Sequence, residues 1–380
     1  MKKLKNILTT MLIFSLVLAA CTTNQTQSKN EELPNNGTVA LPNSASETET
    51  PDKGDYTTGS TVDLNFNLGC NPTDVKFSPD GSQIAVSCFD KTFRIYELTD
   101  KEYALKSSRD LKWYIHSINW SPDGSMVALI SRKALQLIDL DKNEIINSLE
   151  LSKASETRIA WSPDSKYIAA TVPGGSVLTE TDSLAKIYSI PELKLIKEVN
   201  VDGVQPYGTN QLIWDGNVES PVMTIATMGG MIHVRSHHGT SLGFYGIQWN
   251  AAHIGIYSLG EDRYLTVTNE FGSKDAYSRT RLVVFDSLYM LFDYTIQNNL
   301  NGEELDPIVD SCFVLEEMRL YVLFQSGKLQ VFDIRSNEIK LIAEEQVPRV
   351  GLIGKVEASS CYGKLIITRR DEPALFIAKP

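Results

Sequence analysis

Three observations predict an all-β fold, a seven-bladed β-propeller of four-stranded antiparallel blades. A Ser-Pro-Asp-Gly tetrad stands at 78–81 and again at 121–124, and a third copy at 162–165 ends in Ser165. Each copy follows a short apolar run ending in an aromatic residue, Phe77, Trp120 or Trp161, and precedes another such run. Past the last tetrad, short apolar runs separated by turn residues continue in the same frame to the end of the chain. A supersecondary unit that recurs in this way cannot bury its faces alone and must stack on its neighbours.

The tetrad is itself a turn. Pro at its second position presets φ, Asp hydrogen-bonds its own backbone, and Gly at the fourth is the usual exit. Cutting the chain by alternation of period two gives the units in order. The first has strands at 74–77, 83–88, 92–97 and 103–108, and the second runs from 117 to 151 with later strands at 126–130, 135–140 and 144–149. The third starts at 158 and continues with 167–171, 185–190 and 194–199, an insertion at 173–183 separating its second and third strands. The fourth lacks the tetrad but keeps Asp215-Gly216 in its place, with strands at 211–214, 222–226, 232–235 and 241–247. The fifth takes 254–258, 264–268, 281–285 and 290–296, with an insertion at 271–280; the sixth takes 308–314, 320–324, 328–332 and 339–343.

The last unit, 355–359, 364–368 and 374–377, is short of a strand. An alternating segment at 62–68 lies unassigned ahead of the first unit, and pairing it with the last unit closes the ring and removes the exposed edges of an open array.

Ahead of this domain, at 61–380, lie two other segments. Residues 1–20 read as an export signal: Lys2, Lys3 and Lys5 precede an uncharged, mostly apolar run too short to span a membrane comfortably. The run ends in Leu18-Ala19-Ala20-Cys21, which resembles the bacterial lipobox. That resemblance implies lipidation at Cys21, and two or more acyl chains anchor stably where one does not. Residues 21–60 are rich in Thr, Asn, Ser, Glu and Pro and lack the apolar surface to offset ordering entropy, so they read as a disordered tether. The expected location is therefore the extracytoplasmic side of a bacterial membrane.

The 380 residues carry a formal net charge of −11, which argues against nucleic acid as a partner. Besides Cys21 there are Cys70, Cys88, Cys312 and Cys361, with no paired metal spacing. Export permits disulfides between them, and burial as small thiols in strands is equally consistent with their positions.

The pattern of an aromatic residue, Ser-Pro-Asp-Gly, an Ile or Val followed by Ala, and a strand such as Phe93-Arg94-Ile95-Tyr96 is similar to WD-repeat proteins. It is clear in the first three units. No unit has the family's Gly-His pair, and no third strand ends in Trp-Asp; Tyr96-Glu97, Ile138-Asp139, Phe285-Asp286 and Phe332-Asp333 stand there instead.

In a four-stranded meander the tetrads share one face with the third-to-fourth connections, and the opposite face carries the loops between blades. Those loops place Trp113, Tyr114, His116, Tyr207, Trp249 and His253 near one another as a candidate binding face, serving either recognition or local packing over blade edges. No nucleophile elbow, phosphate loop or metal-ligand cluster is found, so no catalytic residue, metal or cofactor is assigned. The inner strands offer Asp74, Asn119, Asp215 and Asp310. The sequence thus points to a binding or scaffold module with a protein or glycan partner. The alternative is a propeller hydrolase or lyase acting through the inner-strand carboxylates on an extracellular carbohydrate or peptide. Oligomeric state is not legible.

Overall fold

The computed structural model describes residues 62–99, 103–151, 158–171, 185–199, 209–216, 221–227, 231–236, 241–246, 251–260, 263–271, 277–286, 290–296, 299–300, 304–335, 338–347, 353–359, 364–369 and 372–378. The predicted signal, tether, Cys21, Cys361 and insertion 173–183 lie outside them. Strand β1 (Val62–Asn67) comes first. The first sheet is β2 (Pro72–Phe77), β3 (Gln83–Cys88), β4 (Thr92–Leu98) and β5 (Tyr103–Asp110), and the second is β6 (Ile115–Trp120), β7 (Met126–Ser131), β8 (Ala134–Asp139) and β9 (Glu144–Glu150). The third is β10 (Ile159–Trp161), β11 (Tyr167–Thr171), β12 (Ala185–Ser189) and β13 (Leu195–Val199). The fourth is β14 (Thr209–Gly216), β15 (Pro221–Thr227), β16 (Met231–Ser236) and β17 (Ser241–Gly246). The fifth is β18 (Ala251–Gly260), β19 (Arg263–Phe271), β20 (Tyr277–Asp286) and β21 (Met290–Ile296).

A two-stranded ribbon, β22 (Asn299–Leu300) and β23 (Glu304–Leu305), was not expected from the sequence; it precedes β24 (Ile308–Val314), β25 (Arg319–Phe324), β26 (Lys328–Asp333) and β27 (Lys340–Gln346). The last sheet is β28 (Ile353–Ser359), β29 (Lys364–Arg369) and β30 (Glu372–Ala378), and β1 pairs antiparallel with β30, Asn65 opposite Phe376 and Phe66 opposite Leu375. Neighbouring strands within every sheet are antiparallel, which makes the fold an all-β propeller of four-stranded blades.

One expectation needs correction. Of the predicted insertion at 271–280, residues 271 and 277–280 are strand and 272–276 lie outside the described residues, because β19 and β20 run on past the point where their polar residues suggest a loop. Those residues satisfy each other: Thr280 Oγ1 donates to Asn269 Oδ1 at 2.9 Å, and Arg281 reaches Glu270 at 3.1 Å.

The tetrads turn for a backbone reason. Gly81, Gly124 and Ser165 have φ of 71°, 73° and 59°, the left-handed region that Gly enters without steric cost. In the first copy, the Gly81 N–H donates to Ser78 O, Ser78 Oγ donates to Asp80 Oδ1, and the Gln83 N–H donates to Ser78 Oγ. These bonds hold the Asp80 carboxyl below the usual carboxylate range, the Ser78 hydroxyl first among the causes. Ser165 meets the same backbone demand, and its hydroxyl accepts from the Asp123 N–H of the preceding tetrad at 3.2 Å. Neighbouring tetrads therefore touch on one face of the sheets.

The core lies between successive sheets. Ala85, Phe93 and Ile95 of the first sheet pack on Ile118, Val127 and Leu129 of the second, and Ala128 and Ile130 pack from the second onto Ile159 and Ile168 of the third. Second strands, covered on both sides, read as unbroken apolar runs such as Val127–Ile130, all at 0 % exposure. Outer strands such as β5 alternate with solvent instead. Each fully covered Leu or Ile contributes about 1.5–3 kcal/mol over its exposed state.

First strands lie side by side: β2 by β6, β6 by β10, β10 by β14, β14 by β18, β18 by β24, β24 by β28, and β28 by β2. Polar bonds recur between them at one blade's spacing. Trp120 Nε1 donates to Lys76 O and Trp161 Nε1 to Asn119 O, both at 3.2 Å, so the aromatic residue ahead of the tetrad ties each sheet to the one before. Phe77, in the same place, lacks the N–H. Gln211 Nε2 and Ile254 O repeat such a tie between β14 and β18 at 2.8 Å.

Candidate functional site

A cavity of about 600 Å³ opens among the first strands, lined by Asp74 and Lys76 of β2, Asn119 of β6, Tyr257 of β18, Asp310 of β24 and Glu357 of β28, among others. Side chains two apart on a strand point to the same side, which is how Asp74 and Lys76 come to share it. Between the neighbouring strands β2 and β28, Lys76 Nζ meets Glu357 Oε2 at 2.5 Å, joining the first sheet to the last. Burial alone would lower the Lys76 pKa, but Glu357, Asp74, Cys312 and Asp310 outweigh it and hold the ammonium well above the ordinary lysine value. Glu357 is pushed up by burial, an effect that Lys76 partly reverses.

The other two carboxylates are committed to the scaffold. Asp74, 2 % exposed, accepts the Ile118 N–H of β6 at 2.7 Å, and Asp310 accepts the Val356 N–H of β28 at 2.8 Å. Each reaches the next sheet's first strand and so acts as a strut between blades, while Asp74 Oδ1 is buried without a hydrogen-bond partner. Tyr257 spans the same way, donating to Ser311 O at 2.5 Å, and burial raises its pKa well above the ordinary tyrosine value. Gly255 leaves room for it: a Cβ there would stand 2.4 Å from the Tyr257 hydroxyl. Asp215 belongs to β14 as backbone.

Four of the six residues of the candidate face are described. Tyr114 is 55 % exposed, with Lys91 Nζ 5.1 Å from its ring centroid; Trp113 is half-buried, with Lys112 Nζ at 4.6 Å. Phe89, in the turn between β3 and β4, is exposed on the same face. His116 is the second residue of β6 rather than part of the loop ahead of it, because pairing with β7 starts at Ile115, and it lines the cavity. His253 stands inside β18 rather than in the loop ahead of it, because pairing with β19 starts at Ala251; it is 3 % exposed and its Nδ1 lies 2.9 Å from Thr266 Oγ1. Tyr207 and Trp249 lie outside the described residues.

Sequence reasoning missed Lys76 and Glu357. Lys76 was findable, being two residues from Asp74 on an inner strand; its pairing with Glu357, 281 residues away, was not. The bridge between Cys70 and Cys88 settles one pair left open by the sequence, and Cys312 is a buried thiol outside that bridge.

Residues 67–97 match the family described as WD domain, G-beta repeat. WD repeat and SOCS box-containing protein 1 of Homo sapiens is 39 % identical over 71 residues, 18 % of this chain and 17 % of that protein. UBP9-binding protein bun62 of Schizosaccharomyces pombe is 37 % identical over 83 residues, 22 % of this chain and 14 % of its own length. The matches thus span only a small part of these curated relatives. Among solved structures, the Myceliophteria thermophila Cps50 (Swd1) β-propeller domain superposes with a TM-score of 0.65 at 13 % identity, covering 84 % of this chain and 99 % of that one. A chain of the Mitotic Checkpoint Complex gives 0.63 at 11 % identity, covering 91 % and 99 %. At such identities the likeness is one of fold: a β-propeller that carries a WD-type repeat.

Proposed function

We propose that the chain is a membrane-tethered, extracytoplasmic scaffold, a seven-bladed propeller closed by β1 and presenting the face that carries the loops between blades to a protein partner. The unbroken side-by-side order of first strands and the pairing of β1 with β30 support closure. The Cys70–Cys88 bridge supports export, since such bonds persist in oxidising compartments. Propellers with WD repeats commonly bind proteins, and similar proteins carry names that speak of binding proteins and complexes.

The observation that carries a binding role over catalysis is the commitment of the cavity carboxylates. Asp74 and Asp310 bind backbone N–H groups and Glu357 binds Lys76, whereas hydrolysis through carboxylates needs a general acid and a base facing one reacting bond.

Two experiments test the reading. Cys21→Ala is expected to move the protein from the membrane to the soluble fraction, and retention by the membrane contradicts the anchor. Pull-down of the full chain from native membranes is expected to recover a stoichiometric protein partner; recovery of none contradicts the scaffold.

A further inference from the structure

Most described cations on the tetrad face carry a carboxylate. Lys142 pairs with Asp139, Lys166 with Asp164 and Arg335 with Asp333, all at the tetrads or at third-to-fourth connections. On the opposite face of the first two sheets the pattern reverses. Lys91, Arg109, Lys112, Arg132 and Lys133 make no salt bridge among the described residues, and Arg109 Nε is buried without a hydrogen-bond partner. They come from consecutive elements: the turn after β3, the end of β5, the loop before β6 and the turn after β7.

The carboxylates on this face do not cancel them. Asp90 is engaged by Thr92 and Arg94, which among the described residues leaves exposed Asp110 and Glu150 against five unpaired cations in a chain whose net charge is −11. Two of the ammonium groups are held over aromatic rings, Lys91 over Tyr114 and Lys112 over Trp113. A cation held on a ring has less freedom to lose when it meets an anion, so the patch is organised in advance for negative charge.

We propose that this face of the first two sheets docks an acidic peptide segment of the protein partner, its carboxylates on Lys91, Arg109 and Lys112 and on the Arg132–Lys133 pair. Apolar side chains of the segment rest against Phe89 and the exposed edge of Tyr114. The spread of cations over two sheets matches an extended strand of carboxylates. The ammonium groups over Trp113 and Tyr114 occupy ring faces on which a sugar would stack, which favours a peptide over a glycan. The proposal rests on the scaffold reading and gives its partner a chemistry.

The test titrates the full chain with a dye-labelled twelve-residue peptide of Asp, Glu and Leu, beside the same peptide with Lys for the acids, polygalacturonate, and phosphatidylglycerol vesicles. Saturable binding of the acidic peptide is expected, weakening as salt rises through loss of screened charge pairs. Lys91→Glu/Lys112→Glu is expected to weaken it at least tenfold, and Lys142→Glu on the tetrad face to leave it within twofold. Circular dichroism and thermal melting check that both variants fold; Lys91→Gln/Lys112→Gln, expected to weaken binding less than the charge reversal, replaces the reversed pair if it does not. No saturable peptide binding, equal affinity in the charge-reversed or neutral pair, or binding of polygalacturonate or vesicles in place of the peptide overturns the proposal. A native partner that the charge-reversed pair still captures sinks this proposal and leaves the scaffold standing, whereas the absence of any native partner sinks the scaffold.

Discussion

Lys76→Met is expected to destabilise the domain at pH 7 by about 2 kcal/mol, read as a fall of about 3 °C in melting temperature. Removing one partner of a buried ion pair costs more than the pair contributes, because the other charge is left uncompensated; the figure is set below the usual range because the Lys76 side chain remains 36 % exposed to the cavity. The sign of the pH dependence follows from Glu357. Burial raises its folded pKa above the unfolded value, so the stability that its protonated form contributes is fully present below the unfolded pKa and is lost as pH rises through the folded one. Without Lys76, which lowers that pKa, the loss extends to higher pH. The penalty of the substitution is therefore expected to shrink as the solution is acidified toward the carboxylate range, and Lys76→Met/Glu357→Gln is expected to recover most of it at pH 7. Melting curves of the single and double variants between pH 5 and 8 check this; a pH-independent penalty, or no recovery in the double variant, contradicts it.

Loss of the Cys70–Cys88 bridge is expected to cost more, about 3 kcal/mol. The bond joins residues 18 apart in sequence and links the segment entering β2 to the end of β3, where Pro72 already pairs with Cys88. Opening it frees that loop in the unfolded chain, which lowers stability even where the folded contacts stay unchanged. Cys70→Ser/Cys88→Ser and reduction of the wild type should lower the melting temperature by similar amounts, about 4 °C, and reductant should leave the double variant where it is. A wild type indifferent to reductant contradicts the bridge and removes one support for export.

The first three sheets were legible because their turns are written in residue chemistry. Gly81 and Gly124 announce a left-handed backbone, and the Asp and Ser beside them announce the bonds that close it. β3, β7 and β25 were legible for a different reason, that strands buried on both faces admit little but apolar residues. The extension of β19 and β20 was not, since Asn269, Glu270 and Thr280 look like loop residues until their pairing with each other and with Arg281 is known. The two-residue strands of the ribbon at 299–305 leave too little pattern to read.

At the site, the candidate acids were named correctly as inner-strand residues, yet their role depends on the next blade's backbone, which residue types do not encode. Asp74 and Asp310 stand equivalently in their sheets and make the same strut, and only the three-dimensional register shows it. Trp113 and Tyr114 were found by position between blades; the lysines over their rings were not, because each cation–aromatic contact depends on side-chain direction.

What most directly tests whether function resides on the face between blades rather than in the cavity is a paired pull-down from native membranes. Trp113→Ala/Tyr114→Ala is set beside Asp310→Asn, with folding of both checked by melting. The expected result is loss of the partner from the first and its retention by the second. Retention by the face variant together with loss from the cavity variant contradicts the account.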